Sequence, residues 1–263
     1  TGRVEELIRF IESKYVDTIN EDILLDAAVQ AVLDKLDPHS IYLNPSEASD
    51  QNDEMNGKYY GIGVENYFID DTVHISNIID GAPASQAGLK IFDKIIMIDG
   101  DTVAGKKLKY DAIRQKLRKQ RGHDVNVKIL RNGKQLDYTI QVGEVKVRSV
   151  HSTLIPEIET ALIRIDKFGT NTYKEFMEDV EKWFGTHKAK NIILDLRNNP
   201  GGYLPEAINI LSQIFKDKDN LLLYTIGKGG KRNEYKTTGK YFFNIEQVVV
   251  LIDEESASAS EII

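Results

Sequence analysis

The sequence predicts a mixed α/β and β chain in three parts: an N-terminal helical segment over residues 1–54, a β-rich domain over 55–146, and an α/β core over 147–263. Three observations predict it. Apolar residues in the first part recur at helical spacing. Short apolar runs in the second are separated by glycine-rich, Asp-Gly and Asn-Gly turns. In the third, apolar strands alternate with helical stripes, as in a sheet with helices packed on it. With 263 residues and 41% hydrophobic content, the chain can support more than one core.

The net charge of −7 argues against a nucleic-acid protein, which needs a basic surface for phosphates. The charge is uneven. Residues 1–54 hold 4 basic and 13 acidic side chains, 55–146 hold 15 and 11, and 147–263 hold 15 and 17. The middle part, at +4, is the one that would attract an acidic group. No cysteine is present, so disulfides and thiolate metal sites are excluded. No apolar run reaches membrane-span length. Thr1 in place of Met, and Ile262-Ile263 at the start of a helix, suggest a chain trimmed at both ends.

In the first part, Val4, Leu7, Ile8, Ile11 and Tyr15 share one helical face. A second helix opens at the N-cap Asn20 and is expected to bury Leu25, Ala28, Val29, Val32, Leu33 and Leu36, ending at Asp37-Pro38. These helices carry no chemistry. Packing on a neighbouring domain, or a homodimer through a second copy, is expected of them.

The middle part runs from the turn Tyr60-Gly61-Ile62-Gly63-Val64 into strands over 73–79 and 93–98. The small-residue stretch Gly81–Leu89 forms a helix stub between them, and Asp99-Gly100 closes the second strand. A basic helix carrying Tyr110, Ile113 and Leu117 follows, then a hairpin across Asn132-Gly133. Taken in order, this run resembles a PDZ domain. The resemblance implies that Tyr60, Gly61, Ile62, Gly63 and Val64 bind peptide. An extended tail would add a strand beside Val64–Phe68, with its carboxylate on the loop amides.

In the third part, strands over 161–165 and 191–196 flank a helical stripe of Tyr173, Phe176, Met177, Val180, Trp183 and Phe184. A further helix carries Leu204, Ala207, Ile208, Leu211 and Phe215. Val248–Ile252 is expected to be a fully buried strand.

Two motifs in this part carry chemistry. Asn199-Pro200-Gly201-Gly202 lies between a strand and a helix, where paired glycines can bring backbone N–H groups close to a ligand. Ser256-Ala257-Ser258-Ala259-Ser260-Glu261 follows the last strand. A hydroxyl at a helix N-terminus sits where unpaired amides stabilise the charge of acyl transfer. The competing reading is structural: Ser258-Ala259-Ser260-Glu261 also fits a capping box.

Together, Leu194–Gly202 and Ser256–Glu261, following a PDZ-like run and Asp37-Pro38-His39-Ser40, resemble the C-terminal processing peptidases, or tail-specific proteases. The residues alone leave Ser256, Ser258 and Ser260 open as nucleophile. The resemblance implies Ser258, with an oxyanion hole from Gly201 or Gly202 and from Ala259, on a crotonase-like or Clp-protease-like fold. It implies endopeptidase cleavage near protein C-termini without a cofactor, in the periplasm or envelope. The family's general base is a lysine, expected beyond Ile263, so these residues alone are expected to be inactive. The alternative is a tail-binding PDZ scaffold with a degenerate peptidase core.

Other candidates are weaker. His39, His74, His123, His151 and His187 lack metal-ligand spacing, so no metal is expected. Gly227-Lys228-Gly229-Gly230-Lys231 lacks the Ser or Thr of a phosphate loop and is expected to be a hairpin turn. Lys106, Lys107, Lys109, Arg114, Lys116, Arg118, Lys119 and Arg121 form a basic cluster, part of which is expected to steer substrate carboxylates.

Overall fold

The computed structural model describes residues 2–37 and 40–263; Pro38 and His39 of the Asp37–Ser40 stretch lie outside the described residues. The chain divides into two compact units, Thr1–Asn52 and Asp53–Ile263.

The first unit holds α1 (Arg3–Lys14), α2 (Glu21–Leu33) and most of α3 (Pro45–Met55). Asn20 caps α2 as its sequence predicts, accepting from Asp22 N–H at 3.0 Å. The expected burial is not found. Neither α1 nor α2 has a buried residue, and Leu25, Val32 and Leu36 are all exposed. Two helices of this length cannot enclose a core between them.

The second unit begins with β1 (Lys58–Gly61), β2 (Val64–Ile69) and β3 (Thr72–Ile78). Helix α4 (Pro83–Ala87) ends on Gly88 at φ 88°, the left-handed cap that glycine supplies without strain. Then come β4 (Lys94–Ile98), β5 (Asp101–Thr102), α5 (Tyr110–Leu117), β6 (Asp124–Arg131), β7 (Lys134–Gln141) and β8 (Gly143–Lys146). The sheet order is β2-β3-β4-β6-β7, with β5 beside β4; β1 pairs with β8 separately. Asn132 and Gly133, at φ 50° and 74°, turn the β6–β7 hairpin as the Asn-Gly pair requires. Ile62, Val73, Ile75, Ile95, Ile113 and Ile129 centre a core of their own.

The α/β part comprises β9 (Val150–Ile155), β10 (Thr160–Ile165), α6 (Thr172–Val180), β11 (Asn191–Asp195), α7 (Leu204–Ile214), β12 (Lys218–Ile226), β13 (Arg232–Thr238) and β14 (Gln247–Leu251). Its four-stranded sheet runs β14-β11-β10-β9, in which β10, β11 and β14 are parallel and β9 is antiparallel. Phe168, Phe176, Ile192, Leu194 and Ile210 are buried at its centre. The stretch 227–231 is the turn of the β12–β13 hairpin. One expectation fails here. β14 is a strand but not a buried one: Val249 is 53% exposed, and Ile252, just past its end, is 66% exposed. It is the end strand of its sheet, so only β11 covers it edge-on.

Candidate active site

The site is made where β11 and β14 end. Because the two strands are parallel neighbours, their carboxyl ends lie side by side, and the turns that follow them meet. Leu196 N–H donates to Leu251 O at 2.9 Å, extending the ladder by one bond before the chains separate.

After β11, Arg197 is folded back on the buried Asp195, to which its Nε and terminal NH2 donate at 2.9 and 2.7 Å. Asn198 takes left-handed backbone angles. Asn199 is completely buried and is the hub of the turn. Its Nδ2 donates to Ile165 O at 2.8 Å, its Oδ1 accepts from Gly201 N–H at 2.8 Å, and its backbone O accepts from Ala257 N–H and Ser260 Oγ. It thereby ties the end of β10, the glycine pair and the serine turn together.

The glycines are required by space. A Cβ on Gly201 would stand 2.6 Å from Ala257 O and 2.7 Å from Ser258 Cβ; one on Gly202 would stand 2.3 Å from Phe168 O. Both have positive φ, 98° and 140°. On the other side of this turn, Phe168 N–H donates to Gly201 O at 2.9 Å and Tyr203 N–H donates to Phe168 O at 2.7 Å.

After β14, Asp253 gathers the second turn. Its carboxylate accepts from Asn198 N–H at 2.9 and 3.0 Å, from Glu255 N–H at 3.1 Å and from Ser256 Oγ at 3.2 Å. The bond from Asn198 is the main reason its carboxyl is held below the usual carboxylate range. A short 3-10 turn, Ser258–Ile262, follows.

The three serines now separate. Ser256 Oγ donates to Leu196 O at 2.8 Å, and Ser260 Oγ donates to Asn199 O at 3.0 Å in a buried setting. Ser258 is exposed, sits at φ 55° and has no hydroxyl partner among the described residues. The capping box is half made: the Glu261 carboxylate accepts from Ser258 N–H, but the Ser258 hydroxyl does not cap. Of the amides nearby, Gly201 N–H is spent on Asn199. Those of Gly202 and Ala259 have no acceptor among the described residues. The structure thus brings Ser258, Gly201, Gly202 and Ala259 together. No lysine or histidine hydrogen-bonds Ser258 Oγ among the described residues, and no His, Cys, Asp or Glu group there could hold a metal.

A second feature lies in the β-rich part. Gly63, at φ 79°, lets the loop pass so close to Ala82 that a Cβ on it would meet Ala82 Cβ at 2.2 Å. Ile62 O and Gly63 O are taken by Ala84 N–H and Ile79 N–H, while the Ile62 and Gly63 amides have no acceptor among the described residues. Tyr60 is half-buried, with the Lys58 ammonium 5.7 Å from its ring centre. The loop opens into a groove between the free edge of β2 and α5, walled in part by Val64, Asn66, Tyr110, Arg114 and Leu117.

Sequence reasoning found the serine turn, the glycine pair and the loop. It missed the hub role of Asn199, read Asp253 only as a strand stop, and gave no role to Tyr59 or Asn66 in the groove. Asn199 could have been suspected from its place before Pro200; Asp253 carried no comparable signal.

Residues 60–142 match the PDZ domain family, and residues 159–263 match peptidase family S41. The chain is 31% identical to the carboxy-terminal processing protease CtpB of Bacillus subtilis, covering 99% of this chain and 54% of that one. It is also 31% identical to a "Probable CtpA-like serine protease" of Staphylococcus haemolyticus, covering 99% and 52%. It therefore spans about half the length of the curated relatives it matches. The crystal structure of an S41-protease candidate from Bacteroides fragilis aligns with a TM-score of 0.51 at 19% identity, over 77% of this chain and 59% of that one, which marks a shared fold.

Proposed function

Because residues 159–263 match peptidase family S41 and residues 60–142 match the PDZ domain family, we propose that the chain is the tail-binding and nucleophile-bearing portion of a serine endopeptidase that cleaves proteins near their C-termini. One observation carries the assignment: of the three serines in the motif, only Ser258 keeps an uncommitted hydroxyl, and it does so beside two uncommitted amides.

The chemistry follows from that geometry. Ser258 Oγ attacks the scissile carbonyl, and its proton passes to a base. The oxygen of the tetrahedral intermediate accepts from the Gly202 and Ala259 N–H groups, at the open end of the 3-10 turn. Collapse expels the amine with a proton and leaves an acyl-serine, which water hydrolyses. Gly201 supports this differently. Its own amide is bound to Asn199, and its missing Cβ is what lets the serine turn approach.

The base is a lysine that these residues do not supply, lowered in pKa by desolvation. The 263-residue chain is accordingly expected to bind tails without cutting them. The PDZ groove recruits the substrate by its free carboxylate, with the Ile62 and Gly63 amides as donors. The site of action is the periplasm or envelope, which cell fractionation tests. The exposed apolar residues of α1 and α2, Leu7, Phe10 and Val32 among them, are where a second copy would dock in a homodimer.

The test uses the chain extended to the full length of its curated relatives, with a tail-bearing protein as substrate and mass spectrometry as readout. Ser258→Ala should abolish cleavage, while Ser256→Ala and Ser260→Ala should lower it only through stability. Full activity in Ser258→Ala would overturn the assignment. Tail binding with no cleavage by any version would leave a scaffold.

A further inference from the structure

The groove has a polar content that tail binding by its carboxylate alone does not use. Arg114 and Arg118 of the α5 region line it from one side and Asn66 of β2 from the other, and Tyr59 lines it as well. Arg118 is held by two contacts: its guanidinium lies 4.0 Å from the centre of the Tyr59 ring, and one NH2 donates to Glu54 Oε1 at 2.7 Å. Arg114 also donates to Glu54 Oε1, but through one NH2 only. A guanidinium has five N–H donors in a planar fork, so Arg114 keeps enough for a second, bidentate carboxylate.

Glu54 does not cancel these charges. Lys167 Nζ lies 3.8 Å from its other oxygen, so one carboxylate faces three cations and the cluster is net positive. Burial raises the Glu54 carboxyl, but the Arg118 hydrogen bond and the charges of Lys167 and Arg114 outweigh it and hold it ionised. Once Arg114 turns to a ligand, Arg118 and Lys167 still satisfy Glu54. Asn66 adds a second unspent group. Its Oδ1 is buried and accepts no hydrogen bond among the described residues. A half-turn of the carboxamide would offer Nδ2 to the same ligand instead.

Position fixes which ligand group meets Arg114. A Cβ on Gly61 would be 3.3 Å from Leu117 O, so the carboxylate loop adjoins the C-terminal end of α5. From Leu117 back to Arg114 is three residues, about 4.5 Å along the helix. A tail lying extended beside β2 presents alternate side chains to the groove, about 6.6 Å apart. A last residue seated at the loop would then meet Ile62, Val64 and Leu117, and the residue two before it would reach Arg114 and Asn66, all of which line the groove. Building on the tail-binding reading above, we propose that this groove selects protein tails that carry an Asp or Glu two residues before an apolar C-terminus, with Arg114 as the residue that reads the acid.

Fluorescence polarisation on the 263-residue chain tests it. The probes are labelled hexapeptides ending in Ala-Val, with Glu, Gln or Lys third from the end, and a C-terminally amidated form of the Glu peptide. The Glu peptide should bind about fivefold more tightly than the Gln peptide at low salt, and the Lys peptide most weakly, a size fitting a partly exposed charge pair. Arg114→Gln should bring the Glu-to-Gln ratio to about one. Equal Glu and Gln affinities in the unsubstituted chain, or a preference that survives Arg114→Gln, overturn the acidic subsite; if the amidated peptide is weaker in that case, tail binding itself stands. No binding by any free-carboxylate peptide overturns both.

Discussion

Gly201→Ala measures how tightly the two turns of the site are held together. Two costs combine. At φ 98° the backbone is in a region that L-residues avoid, worth about 1–2 kcal/mol. The added methyl would meet Ala257 O, Ser258 Cβ and Ala259 N at 2.6, 2.7 and 2.8 Å, two of them backbone atoms that cannot swing aside. Overpacking of that kind costs about 1–3 kcal/mol. The expected loss is therefore about 2–5 kcal/mol. Urea unfolding followed by Trp183 suits the measurement, because Trp183 is the chain's single tryptophan and packs against the α/β core. Gly229→Ala is the control. It lies in the same part of the chain, in the β12–β13 turn, at φ 88°, with nothing within 4 Å of an added Cβ, so only the backbone cost of about 1–2 kcal/mol applies. If the two variants lose the same stability within about 0.5 kcal/mol, the close approach of Gly201 to the serine turn is refuted, and the proposed site geometry with it.

Three further outcomes are expected. Asn199→Ala should cost about 2–5 kcal/mol in the same unfolding experiment, because it leaves the buried Gly201 N–H and Ile165 O without partners; a loss below about 1 kcal/mol would deny the hub role. His151, whose Nε2 pairs with Asp166 at 3.1 Å, should titrate by NMR above its ordinary value, since the Asp166 hydrogen bond outweighs partial burial. A raised pKa stabilises below the unfolded value and is lost as pH rises through the folded one. Asp166→Asn should therefore destabilise by about 0.5 kcal/mol more at pH 6 than at pH 8, a small effect because the pair is largely exposed.

Much of the architecture was legible because it rests on local signals. The Asn132-Gly133 turn, the Asn20 cap and the stripe of Phe176 and Val180 each declare themselves within a few residues. What failed depended on neighbours. Val248–Ile252 has the composition of a central strand, and composition cannot say that β14 ends its sheet. Leu25 and Val32 keep a helical apolar spacing, which predicts a covered face but cannot supply the cover. β9 went unread because Val150-His151-Ser152-Thr153 has too few apolar residues to stand out; its pairing with β10 makes it a strand. In the site, the motif located the serine turn, but alternating Ser and Ala look alike from one position to the next. The distinction lies in where each hydroxyl goes, and that depends on Leu196 and Asn199, some sixty residues earlier.

That separation explains why two modest motifs are specific only as a pair. A glycine turn after β11 and a serine turn after β14 are each ordinary. Parallel pairing of the two strands, Asn191 with Gln247 through Asp195 with Leu251, brings both exits to the same edge of the sheet. Side chains then fix the remaining freedom. Asp253 grips Asn198 from one turn, and Asn199 grips Ala257 and Ser260 from the other. With both turns clamped, the left-handed Ser258 has little room to relax, and the strain of its backbone is carried by bonds made elsewhere. Each serine that helps build this clamp loses its hydroxyl to it. Ser258 is the one serine of the motif whose hydroxyl the clamp does not use.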